Sequence, residues 1–246
     1  MTDQQNPVVL VTGSARRIGA EMARHFHKAG FNTALHYRSS ADDAQQLADD
    51  LNRQRHNSAH CFQADMNNMA EVTAMAEQVL QHYRRLDVLI NNASGFYPTA
   101  VGSVTGQQWD ELINSNVKAA FFLSQALIPA LQKQQGCIIN IVDIHAEKPM
   151  KKHPVYCMAK AALRMMTLSL AKELAPDIRV NGVSPGAILW PEDENSAQQE
   201  AILERIPMRK TGATEDIAKT ALFLATDAPY ITGQIIAVDG GRSLNM

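Results

Sequence analysis

The chain has 246 residues, 46% of them hydrophobic, with 23 basic against 25 acidic side chains and a formal charge of -2. That length suits one large α/β domain or two small ones, with enough apolar residues for a sizeable core. The near-neutral balance gives no reason to expect nucleic acid or an anionic membrane as partner; no apolar run reaches the roughly 18 residues of a membrane helix, and the start MTDQQNPVVL lacks the basic and apolar regions of a secretory signal.

Strand and helix patterns alternate along the chain. VVLVTG (8–13) is an apolar run ending in a turn, and Ile18 to Ala29 reads as a helix. FNTALHYR (31–38) is strand-like, 41–54 a polar amphipathic helix, 59–65 a third strand and 69–83 a third helix. LDVLINNAS (86–94) is a strand running into a polar turn, and 109–134 is one long helix or two abutting ones. CIINIVDI (137–144) is strand-like, 155–175 a strong helix rich in Ala, Leu, Met and Lys, and IRVNGVSPG (178–186) a strand and turn. Residues 187–212 are the least regular, a loop with short helices; 214–226 is helical with Thr214 as a plausible cap, and 234–241 is a last strand. Apolar runs of this kind suit a parallel sheet covered on both faces. The expectation is a single α/β domain spanning 1–246, a Rossmann-type, mostly parallel sheet of about seven strands, with ligands along the C-terminal strand edge. Cys61 and Cys137 lie in strand-like runs and Cys157 elsewhere, without metal-site spacing; buried thiols in a reducing cytoplasm are expected.

TGSARRIG (12–19) follows the first strand and opens a helix, the setting in which a glycine-rich turn is meaningful. Gly13 permits a sharp turn, Gly19 a close helix–sheet contact, and amides at the helix start can bind a pyrophosphate. The second strand ends LHYRSS (35–40), with no acid until Asp42. An acid there commonly binds the ribose hydroxyls of NAD. Arg38, Ser39 and Ser40 instead suit a 2′-phosphate, so NADP(H) is expected over NAD(H). Asp65, ending the third strand, is placed either to accept from an adenine amino group or to cap the next helix. Tyr156 and Lys160 stand at i,i+4 on one helix face. An ammonium beside a phenol favours the phenolate, so Tyr156 is expected to exchange a proton near neutral pH; a plain surface pair is the other reading of that spacing.

Over nearly its whole length the chain resembles the short-chain dehydrogenase/reductases, through the turn at 12–19, NNA at 91–93, Asn116 in NSNV, Tyr156-x3-Lys160 and NGVSPG at 181–186. The resemblance implies hydride transfer from a nicotinamide, with Tyr156 as proton donor, Lys160 holding the nicotinamide ribose and Asn116 supporting a water or proton path. It implies a cofactor site of Gly13, Arg16, Arg17, Ile18, Gly19, His36, Tyr37, Arg38, Ser39, Asp65, Met66, Asn92, Ala93, Ser94, Tyr156, Lys160, Pro185, Gly186 and Ile188, and no metal.

Two departures narrow the choice. Arg17 stands where the usual family turn has glycine, and Asp143 where the usual catalytic serine stands. Together with NNASGFYPT (91–99) and HYRS (36–39), they resemble the pteridine reductases. That resemblance implies NADPH-dependent reduction of a pterin, with Asp143, Tyr156, Lys160 and Asn116 catalytic. Arg17, Ser94, Phe96, Asp143, Tyr156, Leu189 and Trp190 would form the substrate site, Phe96 stacking on the pterin. Arg17 would reach towards cofactor phosphates and pterin, whereas Arg16 is less constrained. Leu189, Trp190 and Pro191 are candidates for an apolar wall, or pack against the sheet edge. Lys151 and Lys152 would either attract an anionic tail or lie solvated; His145 and His153 receive no role. The broad apolar helices at 109–134 and 155–175 suit burial against a partner, with a dimer just as open from composition, and the family resemblance implies a homotetramer. The rival readings are an NADPH-dependent carbonyl or 3-oxoacyl-thioester reductase, and a cofactor-binding protein without chemistry.

Overall fold

A computed structural model of the chain describes residues 6–190 and 196–246. Seven strands form one sheet: β1 (Val8–Val11), β2 (Asn32–Tyr37), β3 (Ala59–Gln63), β4 (Val88–Asn91), β5 (Cys137–Ile141), β6 (Arg179–Pro185) and β7 (Ile235–Val238). Their spatial order is β3-β2-β1-β4-β5-β6-β7. Every pairing is parallel, so the sheet is wholly rather than mostly parallel. The helices are α1 (Arg17–Lys28), α2 (Ala41–Gln54), α3 (Met69–Tyr83), α4 (Gly106–Ile113), α5 (Ala119–Lys133), α6 (Pro154–Leu174), α7 (Ser196–Leu203) and α8 (Thr214–Thr226).

Successive strand side chains point to opposite faces, and both faces are covered. Val8 and Leu10 join Leu89, Ile138 and Val180 in a core with α3 and α5 residues such as Val79 and Leu127. Val9 and Val11 join Ile90, Ile139 and Val183 against Met22 and Phe26 of α1 and Leu224 of α8. The continuous apolar runs follow from this double burial. β1 pairs with both β2 and β4, so the direction of winding reverses beside it. At such a point the connections leave in opposite directions and a crevice opens at the C-terminal strand ends.

Several boundaries move. The strands expected at 8–13, 86–94 and 234–241 are shorter; Gly13 and Asn92 to Ser94 leave the ladder to line the crevice. The helical run 109–134 is α4 and α5 joined by a π-helical segment, Asn114–Lys118. α4 also starts earlier than expected: the Thr105 side chain accepts from the Gln108 N–H at 3.2 Å, and the Gln108 side chain accepts from the Thr105 N–H at 3.0 Å. This reciprocal cap was visible as T-x-x-Q. Thr214 is not the cap of α8. Ala213 precedes the helix, and Asp216 accepts from the Ala213 N–H at 2.8 Å. The region 187–212 contains α7, and Pro191 lies outside the described residues.

Gly19 holds α1 against the end of β1. A Cβ there would lie 2.2 Å from the Gly13 carbonyl oxygen, a backbone atom that cannot swing aside. Gly19→Ala is therefore expected to cost about 1–3 kcal/mol, the usual scale of overpacking, in urea unfolding; unchanged stability would mean that this contact relaxes freely.

Candidate active site

The crevice is a cleft of about 990 Å³. Its walls come from the β1 turn, the ends of β2 to β6, α4 and α6. Of the residues expected at the cofactor, Gly13, Arg16, Arg17, Ile18, Gly19, His36, Tyr37, Arg38, Ser39, Asp65, Met66, Asn92, Ala93, Ser94, Pro185, Gly186 and Ile188 line it. So do Phe96, Asp143, Tyr156, Lys160 and Leu189. Trp190 is not among the lining residues, and Asn116 sits behind the wall, 1% exposed.

The β1 turn is shaped by backbone constraints. Gly13 has φ +64°. Thr12 Oγ1 accepts from the N–H groups of Asn92 and Ala93 at 2.9 and 3.0 Å, and Asn92 Nδ2 donates to the Thr12 carbonyl at 2.8 Å. These bonds hold the β1 and β4 ends together. The N-cap of α1, Arg16, makes no side-chain cap bond, and the first turn holds no acid. The positive end of this helix therefore faces the cleft with amide donors uncapped by a side chain, as a phosphate site requires.

The two arginines differ. Arg16 Nε donates to Asp43 at 2.6 Å, which turns its side chain to α2. Arg17 and Arg38 make no ion pair among the described residues. Arg17 also has φ +54°, a left-handed conformation that favours glycine. Asp65 Oδ1 accepts from Asn67 N–H at 2.9 Å and from Asn67 Nδ2 at 3.0 Å, closing the turn before α3, while Asn68 caps that helix.

At the other end Asp143 ends the β5 segment in an extended conformation. One of its carboxylate oxygens accepts from the His145 N–H at 2.8 Å and the other from the Tyr156 hydroxyl at 2.7 Å. Lys160, 3% exposed, donates from Nζ to the Ile141 carbonyl at 2.9 Å and lies 5.7 Å from the Tyr156 ring centroid. The expected shift towards the phenolate is opposed here. Burial, then the Asp143 charge and hydrogen bond, push the Tyr156 hydroxyl well above its ordinary value. Burial lowers Lys160 to about 8, with Asp143 opposing that shift. The arrangement sets the Tyr156 hydroxyl against a carboxylate, which holds the phenol proton more tightly than water does.

The π-helical segment places Asn116 against the loop that follows β4. Its Nδ2 donates to the carbonyls of Gly95 and Leu112, each at 2.9 Å, while its buried Oδ1 has no partner. Irregular helix turns of this kind recur at functional sites. Consecutive Asn114, Ser115 and Asn116, which compete for backbone bonds, were the available signal.

Phe96 is 48% exposed and packs edge-on to Tyr156 with centroids 4.9 Å apart. His153, given no role from sequence, stacks parallel to Phe96 at 4.8 Å and is not among the cleft-lining residues. Tyr97 also escaped notice: its hydroxyl donates to Glu111 at 3.0 Å, fastening the Phe96 loop to α4. The spacing of the two loops in sequence carried no signal of either contact. Lys151 and Lys152 are exposed and do not line the cleft.

A glycine turn at the switch point of a parallel sheet, facing a tyrosine–lysine pair across one cleft, defines a dinucleotide-dependent oxidoreductase. The comparisons agree on the class. A family model described as enoyl-(acyl carrier protein) reductase matches residues 13–243. Pteridine reductase 1 of Leishmania tarentolae is 37% identical over 284 aligned positions, covering 99% of this chain and 98% of the relative. A 3-oxoacyl-(acyl-carrier-protein) reductase of Staphylococcus epidermidis is 35% identical over 243, covering 96% and 98%. The chain belongs to the short-chain dehydrogenase/reductase family, whose members use NAD(P)H.

Two outcomes follow from the geometry. Arg17→Gly removes the left-handed strain of a side-chain-bearing residue, so stability in urea unfolding is expected to rise by about 1 kcal/mol while NADPH binding weakens; a less stable variant would show that the arginine's contacts outweigh its strain. Lys160 is expected to titrate near 8, and Asp143→Asn, by removing the charge that raises it, to move that titration to lower pH. Nitrogen-15 NMR of the Lys160 Nζ reads both, and an unmoved titration would contradict the coupling.

Proposed function

We propose that the protein uses NADPH to reduce a pterin, of the 7,8-dihydropterin type, to the tetrahydro form. The observation that carries this reading is the 2.7 Å hydrogen bond from the Tyr156 hydroxyl to Asp143. A serine at that position would offer a hydroxyl to a substrate carbonyl; a fixed carboxylate instead accepts, and so suits a ring bearing N–H donors. Support comes also from the pteridine reductase relative and from the half-exposed Phe96 at the cleft.

On this reading Arg17 and the start of α1 bind the pyrophosphate, and Arg38 and Ser39 the 2′-phosphate, a pairing suited to a guanidinium fork. The uncapped helix start and the unpaired arginines fit such a group. When bound, the cofactor supplies the hydride. Phe96 presents a flat face to the pterin, held by stacking on His153 and at its loop by the Tyr97–Glu111 bond. Offset stacking of this kind contributes about 0.5–1.5 kcal/mol beyond burial, and its larger effect is alignment. Asp143, with one oxygen pinned by the His145 N–H, accepts from the pterin or from Tyr156. Tyr156 gives the proton that reaches the ring nitrogen N5, and Lys160 and the partnerless Oδ1 of Asn116 support its replacement from solvent. Leu189, which lines the cleft, would face the tail of the pterin.

The reading also carries a homotetramer, supported by exposed Trp109, Phe121, Phe122, Met158 and Met165 on α4, α5 and α6. It carries a cytoplasmic setting, in keeping with three free thiols. No helix among the described residues is long and apolar enough to cross a membrane. The 35% identical oxoacyl reductase favours a second reading, reduction of a carbonyl or 3-oxoacyl thioester.

Asp143→Ser separates the two. It is expected to lower kcat for a dihydropterin by about 10²-fold or more, the scale of a lost proton-handling group; unchanged turnover would remove the special role of Asp143. Arg38→Ala is expected to raise KM for NADPH and shrink the preference over NADH, whereas an unchanged preference would contradict the 2′-phosphate assignment.

A further inference from the structure

His36 was expected to touch the cofactor. It lies in β2, 1% exposed, and both of its ring nitrogens are already engaged. Nδ1 faces the Gly13 N–H at 2.8 Å. A backbone amide only donates, so Nδ1 carries no proton and accepts. Nε2 then holds the ring's single proton and donates to the Ala64 carbonyl at 3.0 Å. The backbone of the same residue continues the pattern: its carbonyl accepts from the Ser14 N–H at 2.9 Å and from the Ser14 hydroxyl at 3.2 Å. Next to it, the Tyr37 carbonyl accepts from the Ala64 N–H at 3.1 Å.

These bonds join three walls of one half of the cleft. Gly13 belongs to the turn proposed for the pyrophosphate, residues 37–39 to the wall proposed for the 2′-phosphate, and Ala64 precedes Asp65 and Met66. We propose that His36 is a positioning residue: one neutral imidazole, locked as the Nε2–H tautomer, sets the spacing of these three strand ends before the dinucleotide enters. The inference rests on reading this half of the cleft as the dinucleotide site.

The chemistry of the position is restrictive. A protonated ring would set an N–H against the Gly13 N–H, so only the neutral form satisfies both neighbours. Burial disfavours the charged ring, outweighing the Ala64 carbonyl and the Asp65 carboxylate, the charged group that acts on it in the opposite sense. An apolar ring of similar size would leave the Gly13 donor and the Ala64 acceptor unpaired. Asparagine can place its side-chain oxygen near the position of Nδ1 and so keep the bond to Gly13 alone.

The test compares wild type, His36→Phe and His36→Asn by fluorescence titration with NADPH, alongside steady-state kinetics. The phenylalanine variant is expected to bind NADPH at least about tenfold more weakly, the scale of an unpaired buried donor, with KM for NADPH rising by more than kcat falls. The asparagine variant is expected to recover most of the affinity. Equal affinity in all three, or a loss confined to kcat, would overturn the proposal. Wild type that binds neither NADPH nor NADH would instead overturn the dinucleotide reading, and the inference with it. Nitrogen-15 NMR of wild-type His36 needs no variant. A neutral ring with its proton on Nε2 between about pH 6 and 8, where a free imidazole titrates, agrees with the proposal; a proton on Nδ1 contradicts it.

Discussion

The hydrogen bond from the Tyr156 hydroxyl to the Asp143 carboxylate decides the chemistry open to this cleft. A partly buried negative charge at that distance favours the phenol over the phenolate. The other carboxylate oxygen is pinned by the His145 N–H, so the pair has a fixed direction. Lys160, one turn further along α6, is acted on by the same charge, and burial brings its own titration down to about 8. Short-chain dehydrogenase/reductase geometry is thereby kept, while the polarity of the substrate-facing position is reversed from a hydroxyl to a carboxylate. The proposed preference for a ring with N–H donors follows from that reversal.

The other half of the cleft is governed by backbone positions. Gly13 and Gly19 allow α1 to meet the end of β1 at a distance no Cβ tolerates. Arg17 then occupies a left-handed conformation in the same turn, an arrangement stable only where the surroundings over-determine it. Arg16 and Arg17 thus divide the work suggested by their adjacency in sequence. One is bound to Asp43, and the other is left unpaired towards the cleft. Substrate specificity and cofactor binding on the proposed reading both draw on this strained residue, so stability and function oppose one another at one position.

Much of this was legible in the sequence, for physical reasons that can be named. The strand run VVLV is apolar throughout, and CIINI apolar but for Asn140, because both sheet faces are covered, and that pattern indicates a parallel sheet. Glycine turns and the Tyr156–Lys160 spacing are local and therefore readable. What escaped depends on contacts between distant segments. The protonated state of Tyr156 needed the burial and the Asp143 distance, neither of which spacing reveals. His153 on Phe96 and Tyr97 on Glu111 join loops remote in sequence. Trp190 read as a cleft wall from its size and place after the NGVSPG strand, yet among the lining residues only its neighbours Ile188 and Leu189 appear. The break between α4 and α5 carried a signal in its polar run, but a helical pattern spanning both sides masked it.

The central claim is tested most directly by anaerobic steady-state kinetics with NADPH, comparing kcat/KM for dihydromonapterin, dihydrobiopterin, dihydrofolate and a simple diketone. The account predicts a clear preference for the pterins over the diketone, with the order among the three reporting on the tail end of the cleft. Turnover of the diketone alone would contradict it and leave a carbonyl reductase in which the Asp143–Tyr156 pair serves a different substrate.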